Sequence, residues 1–115
     1  MMTRSMQQIM TIGVQEAVEK LDRKQAVLVD IRDSQSFNAA HVTDSTLLSD
    51  QSLVQFLQQY DYDTPIMVLC YHGISSRGAA QYLLNQGFEE VYSVEGGFES
   101  WAYNYPDRIQ RNPVK

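Results

Sequence analysis

Val14, Ala17, Val18 and Leu21 recur at the i, i+3, i+4, i+7 spacing of one helical face, which predicts an amphipathic helix from Val14 to Leu21. Met10-Thr11-Ile12 ahead of it reads as a short strand. The continuous apolar run Ala26-Val27-Leu28-Val29-Asp30-Ile31 has the length and β-branched character of a central strand covered on both faces. Ser34 to Ala40 then reads as a short helix. Ser49 is placed to N-cap a helix whose apolar positions are Leu53, Phe56, Leu57 and Tyr60, ended by Asp63-Thr64-Pro65. A second central strand, Ile66 to Cys70, precedes a helix with an Ala79, Tyr82, Leu83 stripe that closes at Gly87. Glu89 to Val94 is the third clear strand, and Glu95-Gly96-Gly97-Phe98 turns into a last short helix through Trp101. Asn104 to Lys115, with two prolines, reads as a loose tail.

Strands alternating with helices through short connections predict an α/β sandwich around a largely parallel sheet, with one domain over 10–105 and a C-terminal tail over 106–115. Ligands in such folds bind at the carboxyl ends of strands. Both Cys70 and the Asp30-Ile31-Arg32-Asp33 segment stand at such ends and are expected to face one crevice. No internal repeat and no low-complexity segment interrupts this pattern.

Composition narrows the function classes. A chain of 115 residues, 43% hydrophobic and 20% charged, builds a core without disulfide or metal. One cysteine excludes an internal disulfide and a cysteine-based zinc site, and it suits a reducing compartment. No apolar stretch approaches the ~20 residues of a membrane span, and the polar start Met1 to Gln8 lacks the apolar centre of a signal peptide. A cytoplasmic protein is expected. A formal net charge of −5 without a basic cluster argues against nucleic-acid or anionic-membrane partners and opposes long-range steering of an anionic substrate.

The candidate chemistry lies where the apolar run Ile66-Met67-Val68-Leu69 ends in Cys70 and Tyr71-His72-Gly73-Ile74-Ser75-Ser76-Arg77-Gly78 follows. A lone cysteine beside an apolar run is commonly an inert core residue. This one ends its strand, is followed by small or polar residues, and precedes Ser75-Ser76, whose side chains suit helix capping. A thiol at a helix N-terminus ionises more readily than a free cysteine, and the thiolate is the nucleophile. Gly73 supplies backbone angles that let amides curl toward one point. Arg77 opposes the helix macrodipole, as a residue does that answers a bound anion; a surface arginine seeking an acidic partner is the alternative. His72 either donates to a bound oxyanion or lies in solvent.

A cysteine loop with a downstream arginine also suggests a phosphatase. There the arginine sits one residue nearer the cysteine, at the place Ser76 occupies, so a bidentate clamp on a phosphoryl group is misplaced. No neighbouring aspartate offers itself as the general acid either.

Cys70-Tyr-His-Gly-Ile-Ser with Ser76-Arg77-Gly78-Ala79-Ala80 resembles the active-site loop of rhodanese domains. Val27-Leu28-Val29-Asp30-Ile31-Arg32-Asp33 is similar to the family's early strand, and Gly87-Phe88 through Val91-Tyr92, Val94, Gly96-Gly97-Phe98 and Trp101 to its closing signature. The resemblance implies a three-layer rhodanese-like sandwich and sulfane-sulfur transfer through a Cys70 persulfide, with thiosulfate as donor and cyanide or a thiol as acceptor. It implies amides from Tyr71, His72, Gly73, Ile74, Ser75 and Ser76 around the sulfur, and Arg77 on the sulfonate. A thioredoxin-like protein is a candidate acceptor, and no metal or organic cofactor is expected. A sulfur carrier, a non-catalytic binding module, or a phosphatase or arsenate reductase on the same scaffold are the alternatives. Asp30 and Arg32, sharing a strand face if the strand reaches both, are expected to tie strand ends to the loop, and Phe98 and Trp101 to anchor the core. The stretch Phe37 to Ser45 departs most from the family, keeping only His41 of its usual Gly-His and Gly-Ala pattern.

Overall fold

Alternation along the strands decides where each side chain goes, and here it divides the core into two clusters. The structure, a computed structural model, describes residues 8–111; the remainder of the polar start and the end of the tail, 112–115, lie outside the described residues. Five parallel strands form the central sheet: β1 (Met10–Ile12), β2 (Val27–Asp30), β4 (Thr46–Leu47), β5 (Ile66–Leu69) and β6 (Val91–Val94), in the spatial order β1-β6-β5-β2-β4. Val27, Leu28, Val29 and Asp30 of β2 pair with Ile66, Met67, Val68 and Leu69 of β5, which pairs on its other side with β6.

All four residues of β5 are fully buried because helices cover both faces. On one face, Leu28, Met67, Leu69 and Val94 pack against Val14, Ala17 and Val18 of α1 (Val14–Asp22) and against Phe98 and Trp101 of α5 (Gly97–Asn104). On the other, Val29, Ile66, Val68 and Val91 meet Phe56 of α3 (Leu53–Gln59) and Ala80, Leu83 and Leu84 of α4 (Ser75–Gln86). Each buried Val, Leu, Ile, Met or Phe among them contributes about 1.5–3 kcal/mol by leaving water. Cys70 continues the Ile66, Val68 alternation and so belongs to the α4 face.

Three details correct the sequence pattern. The tail is ordered through Arg111: a 3₁₀ turn, Pro106–Arg108, leads into β7 (Ile109–Arg111), which pairs antiparallel with β3 (Ala40–Val42). Segments this short carry no readable periodicity, and β3 holds β7 through tertiary pairing. Ser49 does not cap α3: a turn from Ser49 to Ser52 intervenes, and Phe56 N–H donates to the Ser52 carbonyl. In α4 the buried face is Ser76, Ala80, Leu83 and Leu84, whereas Tyr82 is exposed.

The departing stretch follows α2 (Ser34–Ala39) into β3 and turns at Asp44, whose φ of 74° is a left-handed conformation that aspartate tolerates better than most residues. The Ser45 hydroxyl donates to the Val42 carbonyl, and the His41 ring stacks on Phe37.

Candidate active site

Where β5 ends, the chain must reverse from a buried strand into α4, and its carbonyls and amides need partners. The carbonyls turn toward α5. Phe98 N–H donates to the Cys70 carbonyl at 2.7 Å and Glu99 N–H to the Tyr71 carbonyl at 3.0 Å, so the first turn of α5 spends its free amides on this loop. Such close approach requires glycine: a Cβ on Gly97 would lie 2.5 Å from the Cys70 carbonyl oxygen, and one on Gly73, where φ is 92°, 2.7 Å from the Gly96 nitrogen.

With its carbonyls drawn outward, the loop presents N–H groups to the sulfur. Gly73 N–H donates to Cys70 Sγ at 3.1 Å and Ser76 N–H at 3.2 Å. Ser76 Oγ lies 3.3 Å from the same sulfur. Burial pushes the Cys70 thiol up, but the Ser76 hydroxyl and the Ser76, Gly73 and His72 amides outweigh it, and the net direction is below the ordinary thiol value. Ser76 N–H belongs to the first turn of α4, so the helix dipole acts in the same sense.

Ser76 does not cap α4 with its side chain, as its position in sequence suggests; neither does Ser75. The Ser76 hydroxyl points inward instead, 2.7 Å from Ser93 Oγ of β6, and both serines are buried. Ser93 is the site residue that sequence reasoning missed. Its signal was a serine two residues from Val91 in a strand, the spacing that puts both on the buried α4 face, where a hydroxyl must find a partner.

Cys70 opens into a cleft of about 500 Å³ whose walls include Arg32, Asp33, Ser36, Tyr71 and Ser75. The sequence expectation of one crevice shared by the β2 and β5 ends therefore holds. A larger groove, about 630 Å³, shares Ile31, Arg32 and Asp33 with it and runs between β4, α3 and α4.

Asp30 and Arg32 make contact by a different route from the one their spacing suggests. β2 stops at Asp30; the chain bends, Arg32 N–H donates to Asp30 Oδ1 at 2.9 Å, and the guanidinium folds back to give the carboxylate three more hydrogen bonds. Arg32 Nη2 also donates to the Ala40 carbonyl at 2.7 Å, and the guanidinium lies 3.8 Å from the Phe98 ring centroid. The pair thus ties β2 to β3 and α5, not directly to the cysteine loop.

The side chains of the two remaining candidates make no hydrogen bond to the sulfur. His72 is exposed and its Nδ1 lies 2.9 Å from Glu99 Oε1. Arg77 is exposed on α4, outside the cleft wall, and its guanidinium has no ion pair among the described residues. Tyr71 and Ile74 are exposed at the loop surface. Among the described residues no group of three or more His, Cys, Asp or Glu converges on a possible metal position, and no helix is long and apolar enough to cross a membrane.

The chain is similar to known proteins along most of its length. Thiosulfate sulfurtransferase GlpE of Vibrio cholerae serotype O1, in two strains, is 58% identical over 96 residues, which cover 84% of this chain and 91% of that protein. Among solved structures, the rhodanese-like domain of an Anabaena sp. protein superposes with a TM-score of 0.76 at 18% identity, covering 91% of this chain and 85% of that one. A rhodanese-like domain protein from Staphylococcus aureus gives 0.70 at 22% identity, covering 81% and 91%. At such identities the two structures speak for the fold alone. The rhodanese-like domain family model matches residues 13–104, from the start of α1 to the end of α5 with the cysteine loop between, and the chain belongs to that family.

Proposed function

We infer that this protein is a thiosulfate sulfurtransferase working by double displacement at Cys70. The observation that carries the reading is the placement of Cys70 Sγ within hydrogen-bond distance of Gly73 N–H, Ser76 N–H and Ser76 Oγ at the floor of an open cleft. The high identity to enzymes of that name supports the substrate.

In the first half-reaction the Cys70 thiolate attacks the outer sulfur of thiosulfate. A new S–S bond forms as the bond to the sulfonate sulfur breaks, and sulfite departs with that electron pair. The product is a Cys70 persulfide whose negative charge meets the amides of the 71–76 loop. In the second, a thiolate or cyanide attacks the outer sulfur and restores the Cys70 thiolate, yielding an acceptor persulfide or thiocyanate. No proton need move in either step once Cys70 is ionised. Arg77, exposed outside the cleft wall and without an ion pair among the described residues, adds positive charge at longer range for the departing sulfonate; His72, its ring turned to Glu99, is the weaker candidate. Exposed Tyr71 and Ile74 beside the cleft suit a thioredoxin-like protein as acceptor, and a free thiol of this kind suits a cytoplasmic setting.

Ser76 at the position of a phosphatase arginine argues against phosphoryl transfer, because its hydroxyl is committed to Sγ and Ser93 and leaves no bidentate clamp there. Intact-protein mass spectrometry after thiosulfate tests the reading. Wild type gains one sulfur atom and releases thiocyanate when cyanide follows; Cys70→Ser does neither. A wild-type protein that stays unmodified with every sulfane donor overturns it.

A further inference from the structure

Cys70 Sγ, Ser76 Oγ and Ser93 Oγ form a line of three atoms with two links, 3.3 Å and 2.7 Å long. All three residues are buried, and the two hydroxyls have no other hydrogen-bond partner among the described residues. Two links accommodate two protons. With the sulfur ionised, the line carries two: Ser93 donates to Ser76, and Ser76 donates to the sulfur. A third proton, on the sulfur, has no place in it and must either reverse the line, leaving the buried Ser93 O–H without an acceptor, or turn out into the cleft.

We propose that Ser93 is a positioning residue for this chemistry: its hydroxyl occupies the acceptor site of Ser76 Oγ, directs the Ser76 proton onto Cys70 Sγ, and so favours the sulfur without a proton. The persulfide has the same unprotonated Sγ, so one arrangement serves both resting forms of the cycle. That extension rests on the sulfurtransferase reading; the effect on the free thiol does not.

The ionisable groups on the elements around Cys70 are Asp30 at the end of β2, Arg32 and Asp33 after it, Tyr71 and His72 in the loop, Arg77 and Tyr82 on α4, Tyr92 on β6, and Glu99 and Tyr103 on α5. None of their ionisable side chains hydrogen-bonds Sγ, which meets the backbone N–H groups of the loop and the Ser76 hydroxyl. Substituting Ser93 leaves all of them in place. Ser93 also pairs with Val68 of β5 and Thr11 of β1 through its backbone, which a side-chain change preserves.

The test is the pH dependence of Cys70 alkylation by iodoacetamide in the full chain, a readout that needs neither thiosulfate nor an acceptor. Ser93→Ala is expected to raise the midpoint by about one pH unit, slowing alkylation about tenfold on the acid side, the scale of one hydrogen bond to an ionised group. Ser93→Thr, which keeps the hydroxyl, retains the wild-type midpoint, whereas Ser93→Val, of the same shape without it, shifts as Ala does. If the valine variant does not fold, the comparison of Ala with wild type decides. A wild-type midpoint in Ser93→Ala, or equal shifts in Thr and Val, overturns the proposal. Failure of wild type to take up sulfur from thiosulfate overturns the sulfurtransferase reading instead and leaves the alkylation result standing.

Discussion

At the scale of single residues, the loop works because carbonyls and amides were sorted to opposite sides. Gly73 constrains that sorting, since it combines a φ of 92° with a Gly96 nitrogen only 2.7 Å from where a Cβ would stand. Gly73→Ala is therefore expected to cost more than the ~1–2 kcal/mol of a left-handed alanine, and to lower both the urea midpoint and the rate of persulfide formation. An unchanged urea midpoint would show that the loop does not need that conformation. Cys70 itself links ionisation to stability. Its native pKa lies below the unfolded value, so between the two the unfolded chain binds more protons and stability rises with pH. The contribution is fully present above the unfolded pKa, near 8.5, and is lost as pH falls through the native one. Urea unfolding across that window should show the slope in wild type and its absence in Cys70→Ser. Equal slopes would contradict the depressed pKa.

At the scale of elements, the ends of β2 and β5 and the start of α5 form one joint. Asp30 is fully buried and the Arg32 side chain nearly so, each satisfied chiefly by the other. Removing one partner strands a buried charge, and Asp30→Ala is expected to cost about 3–5 kcal/mol, read as a fall in the denaturant midpoint. A loss below 1 kcal/mol would mean that Arg32 escapes to solvent. The strongly patterned elements were legible from residue pattern: α1 from its helical spacing, the buried strands β2, β5 and β6 from short apolar runs, and the end of α4 from Gly87. β1, equally short, was read from its place ahead of α1, but β3, β4 and β7 were not, because runs of two or three residues have no period of their own and these exist by pairing with a distant strand. The same reason turned the supposed loose tail into an ordered edge. Ile109 packs on the cluster around Trp101, Thr43 N–H donates to the Arg108 carbonyl, and Arg108 pairs with Asp22. A chain ending at Tyr105 should unfold at lower urea, yet keep the wild-type pH profile of Cys70 alkylation, since β7 lies outside the cleft.

At the scale of the whole molecule, the net charge of −5 opposes approach of the thiosulfate dianion. Salt screens that repulsion, so kcat/KM for thiosulfate is expected to rise between about 10 mM and 150 mM salt, as the Debye length falls from ~30 to ~8 Å. A steep fall would instead mean that local cations such as Arg77 dominate the encounter. The sequence by itself determined the layered architecture and the place of Cys70 and its loop at a strand end, because these depend on apolar period, strand length and the order of neighbouring residues. Only the tertiary structure decided what surrounds the sulfur. Ser76 and Ser93 are 17 positions apart, and Asp30 and Arg32 meet through a bend that no periodicity encodes. His72 turns to a glutamate 27 residues away. Hydrogen bonds of that kind are set by which elements the sheet brings side by side, and that order, β1-β6-β5-β2-β4, is not the order of the chain.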